Sequence, residues 1–205
     1  MNLRTGILAL VFVALSTAAH SATLINGDFE TGDFSGWTLT GNVDIGSLEG
    51  VCANGSGFSG TICTSHGGTF AATLGPNVGP GGDGAHMFQD FATTPGSLYN
   101  LTFYLRNDNA NQTPENRFIV SFDGNVVYST TDAPDSNYTE FSFLNLLASS
   151  ETTRLDFEIE NTPGGFFMDD VSVNAVPEPG SVLLVSGALS ALGLIRRKRA
   201  SAATS

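Results

Sequence analysis

Chemistry in residues 23–175 would have to come from His66 and His86, from Cys52 and Cys63, and from carboxylates, since all but Glu178 of the chain's 20 acidic residues lie there. Neither histidine stands in a His-Glu-x-x-His helix, no Gly-x-Ser-x-Gly elbow is present, and no glycine-rich phosphate loop leads into a helix. A glycoside hydrolase needs only two carboxylates flanking the scissile bond. Acids this abundant offer many pairs and single out none, so a cryptic hydrolase has no particular residues behind it. The residue types point away from an enzyme. The two cysteines lie close together, inside Gly50–Gly68. In an oxidising exterior they are expected to close one small disulfide loop. A metal pair is the rival, but only His66 stands near to complete it. Among the aromatics, Trp37 follows a glycine just before a strand and reads as a core plug. Tyr99 and Phe103 share the apolar face of their strand, whereas Tyr104 lies on the opposite face with Asn100 and Thr102, which makes it the better exposed ring.

The elements that must position these groups are strands. Tyr99, Leu101, Phe103 and Leu105 alternate along one segment, and Leu155, Phe157 and Ile159 alternate with charge along another. That period of two is the mark of a half-buried antiparallel strand. Strands are expected at residues 38–45, 85–91, 98–105, 117–122, 125–128, 139–144, 153–160 and 166–173, with a weaker one at 69–74. Asp123-Gly124-Asn125 supplies a hairpin turn. Regular short strands separated by turn clusters indicate a sandwich or barrel. The expectation is an all-β chain: one antiparallel jelly-roll β-sandwich at 23–175, flanked by two apolar ends. Residues 46–84, rich in Gly, Ser, Thr and Pro, are read as a long connection, and a loop of that length is one place to seek a ligand site.

The formal net charge is −12, and its distribution is uneven. Residues 23–175 keep only Arg106, Arg117 and Arg154 as basic groups. Such a surface repels nucleic acid and anionic membranes, so neither is an expected partner.

Both ends speak of export. Arg4, an apolar run from Gly6 to Leu15 and small residues through Ala22 make residues 1–22 a secretory signal peptide. At the other end, residues 176–205 carry Pro177-Glu178-Pro179, an uncharged apolar stretch from Ser181 to Ile195, and the basic cluster Arg196, Arg197, Lys198 and Arg199. The prolines prevent a helix from running through. As a short hydrophobic helix the stretch spans roughly 22 Å, less than the ~30 Å hydrocarbon core, which makes a poor permanent anchor. The basic cluster fixes topology by staying cytoplasmic. Motif, span and basic stop in this order closely resemble the PEP-CTERM sorting signal of Gram-negative bacteria. The resemblance implies processing by a membrane-embedded exosortase that reads Pro177, Glu178 and Pro179, after transient anchorage in the inner membrane. It also implies delivery to the cell surface or an extracellular matrix, in association with exopolysaccharide or biofilm.

A second resemblance runs through the middle. Leu24-Ile-Asn-Gly-Asp-Phe-Glu30 with Gly36-Trp37, the segment from Gln89 through Tyr99 to Arg106, and Gly165-Phe-Phe-Met-Asp-Asp-Val-Ser-Val173 are similar to galactose-binding-like jelly rolls and carbohydrate-binding modules. The likeness implies neighbouring first and last strands, with a structural calcium between them held by Asp28 or Glu30 and by Asp169 or Asp170. By simple alternation Asp169 is expected on the core face with Phe167, Val171 and Val173. The functional expectation is a secreted, non-catalytic surface or matrix protein. Its alternative is a carbohydrate-binding module recognising a polysaccharide.

Overall fold

Alternation along the chain sorts side chains into one shared core and two outer faces. Leu98–Asp108 (β7) buries Tyr99, Leu101, Phe103 and Leu105 on one side, and Thr152–Asn161 (β11) buries Leu155, Phe157 and Ile159. A computed structural model describes residues 24–43, 50–58, 61–75, 84–108, 116–161 and 164–177. The remaining strands are Thr38–Gly41 (β1), Gly50–Ala53 (β2), Gly57–Phe58 (β3), Thr61–Ile62 (β4), Phe70–Leu74 (β5), Ala85–Ala92 (β6), Asn116–Phe122 (β8), Asn125–Thr131 (β9), Thr139–Leu147 (β10) and Gly165–Ala175 (β12). Two antiparallel five-stranded sheets form the sandwich, one in the order β1-β6-β11-β8-β9 and the other in the order β10-β7-β12-β5-β2. The hairpin β3-β4 stands apart from both. The all-β antiparallel sandwich expected from the alternation is the fold, and it lies within one compact unit, residues 19–176.

Aromatic rings fill the space between the sheets. Phe103 stacks on Phe141 at 5.2 Å and meets Phe157 edge-on at 5.3 Å, while Phe118 leans on Phe166 at 5.1 Å. Such pairs add about 0.5–1.5 kcal/mol each beyond the area they bury. Trp37 is indeed a core plug: it is buried, stacks on Phe29 at 5.9 Å, and donates its indole N–H to the Asn26 carbonyl at 2.9 Å. The entry segment is tied down by Gln89, whose amide both accepts from and donates to the Ile25 backbone.

Two expectations are corrected. The long connection at 46–84 carries β2 and the β3-β4 hairpin in addition to β5, the weaker strand expected at 69–74. Val51-Cys52-Ala53 is too short to show alternation; pairing with β5 makes it a strand. The face assigned to Asp169 also changes. The register of β12 against β7 slips between Asp169 and Ser172, and Asp170 sits at φ 49°. This bulge inserts a residue and flips the parity. Phe166, Met168, Val171 and Val173 therefore face the main core, while Phe167 and Asp169 face outward, beneath the segment that follows the hairpin.

Pro177 is exposed at the end of the described chain. The expected signal peptide 1–22, Glu178, Pro179, the apolar stretch and the cluster Arg196–Arg199 lie outside the described residues. Among the described residues no helix is long and apolar enough to cross a membrane.

Candidate functional site

The outer face of the second sheet presents Tyr104 and Thr102 from β7 and Ser172 from β12, with the Thr102 and Ser172 hydroxyls 2.7 Å apart. Over it runs Cys63–Phe70, a segment rich in small residues. One end of this segment is fixed by the disulfide between Cys52 and Cys63, which packs against Phe167. The pairing expected from the cysteine count is thus the one formed. Next to it, Thr64 receives the Arg106 guanidinium on its hydroxyl and the Tyr138 hydroxyl on its carbonyl, both at 2.7 Å. Arg106 also lies over the Phe167 ring, 4.9 Å from the centroid. At the other end Glu30 Oε1 accepts the Thr69 and Phe70 amides at 2.7 and 2.8 Å. Gly68, at φ +53°, lets that carboxylate approach: a Cβ there would stand 2.3 Å from Glu30 Oε1.

Between these anchors His66 lies flat on Tyr104, with ring centroids 3.5 Å apart and planes inclined by 12°. Its Nδ1 is 2.7 Å from Asp170 Oδ2. A carboxylate oxygen accepts, so in this contact Nδ1 is the nitrogen that carries the hydrogen. Tyr138 meets the imidazole edge-on at 5.6 Å. Burial pushes the Tyr104 phenol up, helped by the nearby charge of Glu140. Burial also drives the Tyr138 phenol well above its ordinary range, with the Asp169 carboxylate next in effect. Both therefore act as neutral rings. Beside the stack opens a cleft of about 620 Å3, lined by Asn26, Asp28, His66, Thr102, Tyr104 and Asp170 among others. It offers an aromatic stack flanked by hydroxyls, amides and two carboxylates, and that mixture suits a polyhydroxylated ring.

All four acids singled out from the sequence come to this corner, as neighbouring first and last segments require: the Val171 amide bonds the Gly27 carbonyl at 2.8 Å. They do not converge on one point. Asp28 and Asp170 line the cleft, whereas Glu30 and Asp169 are spent on backbone amides. Asp169 is fully buried; its Oδ2 accepts the His66 and Gly67 amides at 2.8 and 3.0 Å, and its Oδ1 accepts the Asp170 amide at 2.8 Å. N–H groups thus occupy directions a calcium ion would need, and among the described residues no three His, Cys, Asp or Glu side chains gather as a metal set. The geometry does not fit the calcium that the resemblance implies. Burial pushes the Asp169 carboxyl up to about 6, against the opposing pull of the amides.

His66 is the residue of this cleft that sequence reasoning weighed only as a weak metal ligand. Its signal was its place: an imidazole in a Gly/Ser/Thr-rich stretch three residues past a disulfide cysteine. Tyr104 was legible from alternation alone.

No protein-family model matches the chain, and no curated protein matches it either. Solved structures do share the fold. One is a family 61 carbohydrate-binding module in complex with β-1,4-galactotriose, at a TM-score of 0.51 and 18% identity, covering 74% of this chain and 96% of that one. Another is a Stig cyclase from Fischerella sp. TAU, at 0.55 and 16% identity, covering 79% and 100%. A third is the K3 cleaved adhesin domain of Lys-gingipain from Porphyromonas gingivalis, at 0.52 and 12% identity, covering 76% and 98%. At such identities the likeness is one of fold.

Proposed function

We propose that the chain is an exported, non-catalytic carbohydrate-binding protein that seats a glycan in the cleft beside His66 and Tyr104. The observation that carries this reading is the face-to-face imidazole–phenol stack at the wall of an open cleft lined with hydroxyl, amide and carboxylate groups. Aromatic faces take the apolar face of a sugar, and the polar rim takes its hydroxyls; neither task requires a reactive nucleophile. The fold shared with a module bound to β-1,4-galactotriose supports the choice of ligand class. The test is calorimetric titration with β-1,4-galactotriose and a panel of other neutral oligosaccharides, using wild type, His66→Ala and Tyr104→Ala. Binding that weakens at least tenfold in both variants is expected. Binding that ignores both substitutions, or no binding across the panel, sinks the proposal.

The residue pattern of the two ends suggests a setting for this activity. The signal peptide would export the chain, and the Pro177-Glu178-Pro179 tail would hold it in the inner membrane until an exosortase cuts it. The product would then act at the cell surface or in an extracellular polysaccharide matrix. Mass spectrometry of the C-terminal peptide tests the sorting step: the tail is expected to be lost near Pro177–Pro179 in the native host and kept in an exosortase-deficient strain. A tail ending at Ser205 in both strains would refute it.

A further inference from the structure

Cys63–Phe70 carries the imidazole of the proposed site, yet the anchors at its ends do not by themselves fix His66. The disulfide, Thr64 and Glu30 hold the two ends, and a chain pinned only there leaves its middle free to choose its conformation. In the middle, beside a Ser65 hydroxyl that bonds the Gly68 carbonyl, one buried side chain takes the backbone amides. His66 and Gly67 both donate their amides to Asp169 Oδ2, and the Asp170 amide bonds Oδ1 across the β12 bulge. That bulge in turn aims the Asp170 carboxylate at His66 Nδ1. One buried group therefore governs both the backbone under the imidazole and the partner of its ring.

We infer that Asp169 is the positioning residue of this site: lying beneath Cys63–Phe70, it registers the His66 backbone and the bulge bearing Asp170, and so holds the imidazole preformed on Tyr104. A carboxylate is suited to the task because it only accepts, and here it meets three N–H donors with charge-assisted bonds. An asparagine at the position would turn an NH2 group toward at least one of those donors. The gain is preorganisation, since a ring already seated on Tyr104 need not be ordered when a ligand arrives. The inference deepens the proposed glycan site and rests on that reading for its purpose, but its first test needs no ligand.

The full-length chain, labelled with 13C-histidine, has three imidazoles to assign, and loss of signal in His66→Ala identifies the relevant one. Stacked on Tyr104, the His66 ring protons are expected well upfield of a free imidazole in wild type. They are expected near free-imidazole values in Asp169→Asn, with far-UV circular dichroism and cooperative melting retained. An unchanged upfield shift in Asp169→Asn overturns the inference. Hydrogen exchange on the wild type decides independently of how that variant folds: the His66 and Gly67 amides are expected to be protected, and exchange at unstructured-peptide rates overturns the inference as well. In a second arm, titration with β-1,4-galactotriose is expected to show at least a tenfold loss for Asp169→Asn and for His66→Ala. The double variant is expected to be no worse than the weaker single one. Additive losses would overturn the route through His66. Failure of wild type to bind would refute the glycan reading alone, leaving the imidazole shift and the amide exchange to decide the positioning role.

Discussion

Replacing Asp169 by asparagine tests the energetics of the site as well as its geometry. The folded carboxyl sits at about 6 against an ordinary 3.8, chiefly because burial disfavours its charge. At about 1.36 kcal/mol per unit, holding that charge at neutral pH costs about 3 kcal/mol of stability. The residue lies beneath Cys63–Phe70 with no exposed surface, and the cost is of that order of magnitude. A folded value above the unfolded one means that the native state binds the proton more tightly. The stabilisation from protonation is complete below the unfolded value and is lost as pH rises through the folded value. From pH 7 to pH 5 this one group should stabilise the wild type by about 1 kcal/mol. Other carboxylates pull the opposite way: the Arg154 guanidinium holds Asp90 low, so that pair weakens in acid. The informative quantity is therefore the pH slope of wild type minus that of Asp169→Asn. Urea unfolding at pH 7, 6 and 5 reads it, with an expected extra midpoint shift on the order of 0.5–1 M in the wild type. Parallel slopes in the two proteins would refute the assignment of a costly buried charge to Asp169.

Three further outcomes follow from the same corner of the molecule. Removing the disulfide with Cys52→Ala and Cys63→Ala frees a short loop and should destabilise by about 3 kcal/mol on the chain-entropy account, read as a drop in melting temperature, with weakened glycan binding because His66 loses one anchor. Gly68→Ala places a methyl group against Glu30 at positive φ and should cost about 1–2 kcal/mol in urea unfolding; an unchanged midpoint would show that the Glu30 bonds are not needed. Calcium or a chelator should leave the melting temperature within error, since Glu30 and Asp169 are committed to amides. A rise of several degrees with calcium would show instead that the carboxylates regroup around the ion.

The fold was legible because alternation is a local signal. Tyr99, Leu101, Phe103 and Leu105 declare their face within one strand, and the same pattern placed Tyr104 outside before any tertiary contact was known. The disulfide was legible from the absence of other cysteines. Asp169 was misplaced because alternation assumes an unbroken pleat, and the bulge at Asp169–Asp170 has no signature in composition or periodicity. The strand at Gly50–Ala53 was hidden for a related reason: its four residues take their conformation from β5. The four acids reached one corner as the resemblance implied, but proximity did not reveal their duties. Whether a carboxylate meets a cation or an amide depends on where the backbone of Cys63–Phe70 runs, and that is set by contacts more than a hundred residues apart, such as that of His66 with Asp169.

That long-range contact also explains why an expensive group sits where an apolar one would be cheaper. Phe167, two residues earlier on the same outward face, is covered by the disulfide loop and stabilises by packing. A second apolar side chain at Asp169 could cover the same face without the cost of burying a charge. It could not accept the amides of His66, Gly67 and Asp170, and three buried N–H groups left without partners would carry their own cost of about 1–3 kcal/mol each. The carboxylate is thus the cheaper solution only if this backbone course is required. The β-sandwich does not require it: its core is closed by Phe103, Phe118, Phe157 and Phe166 from strands that pair without the segment. What this course delivers is the position of one imidazole on one phenol. A buried charge that lowers stability while ordering a surface ring marks a place where local economy has been set aside, and such places concentrate at functional sites.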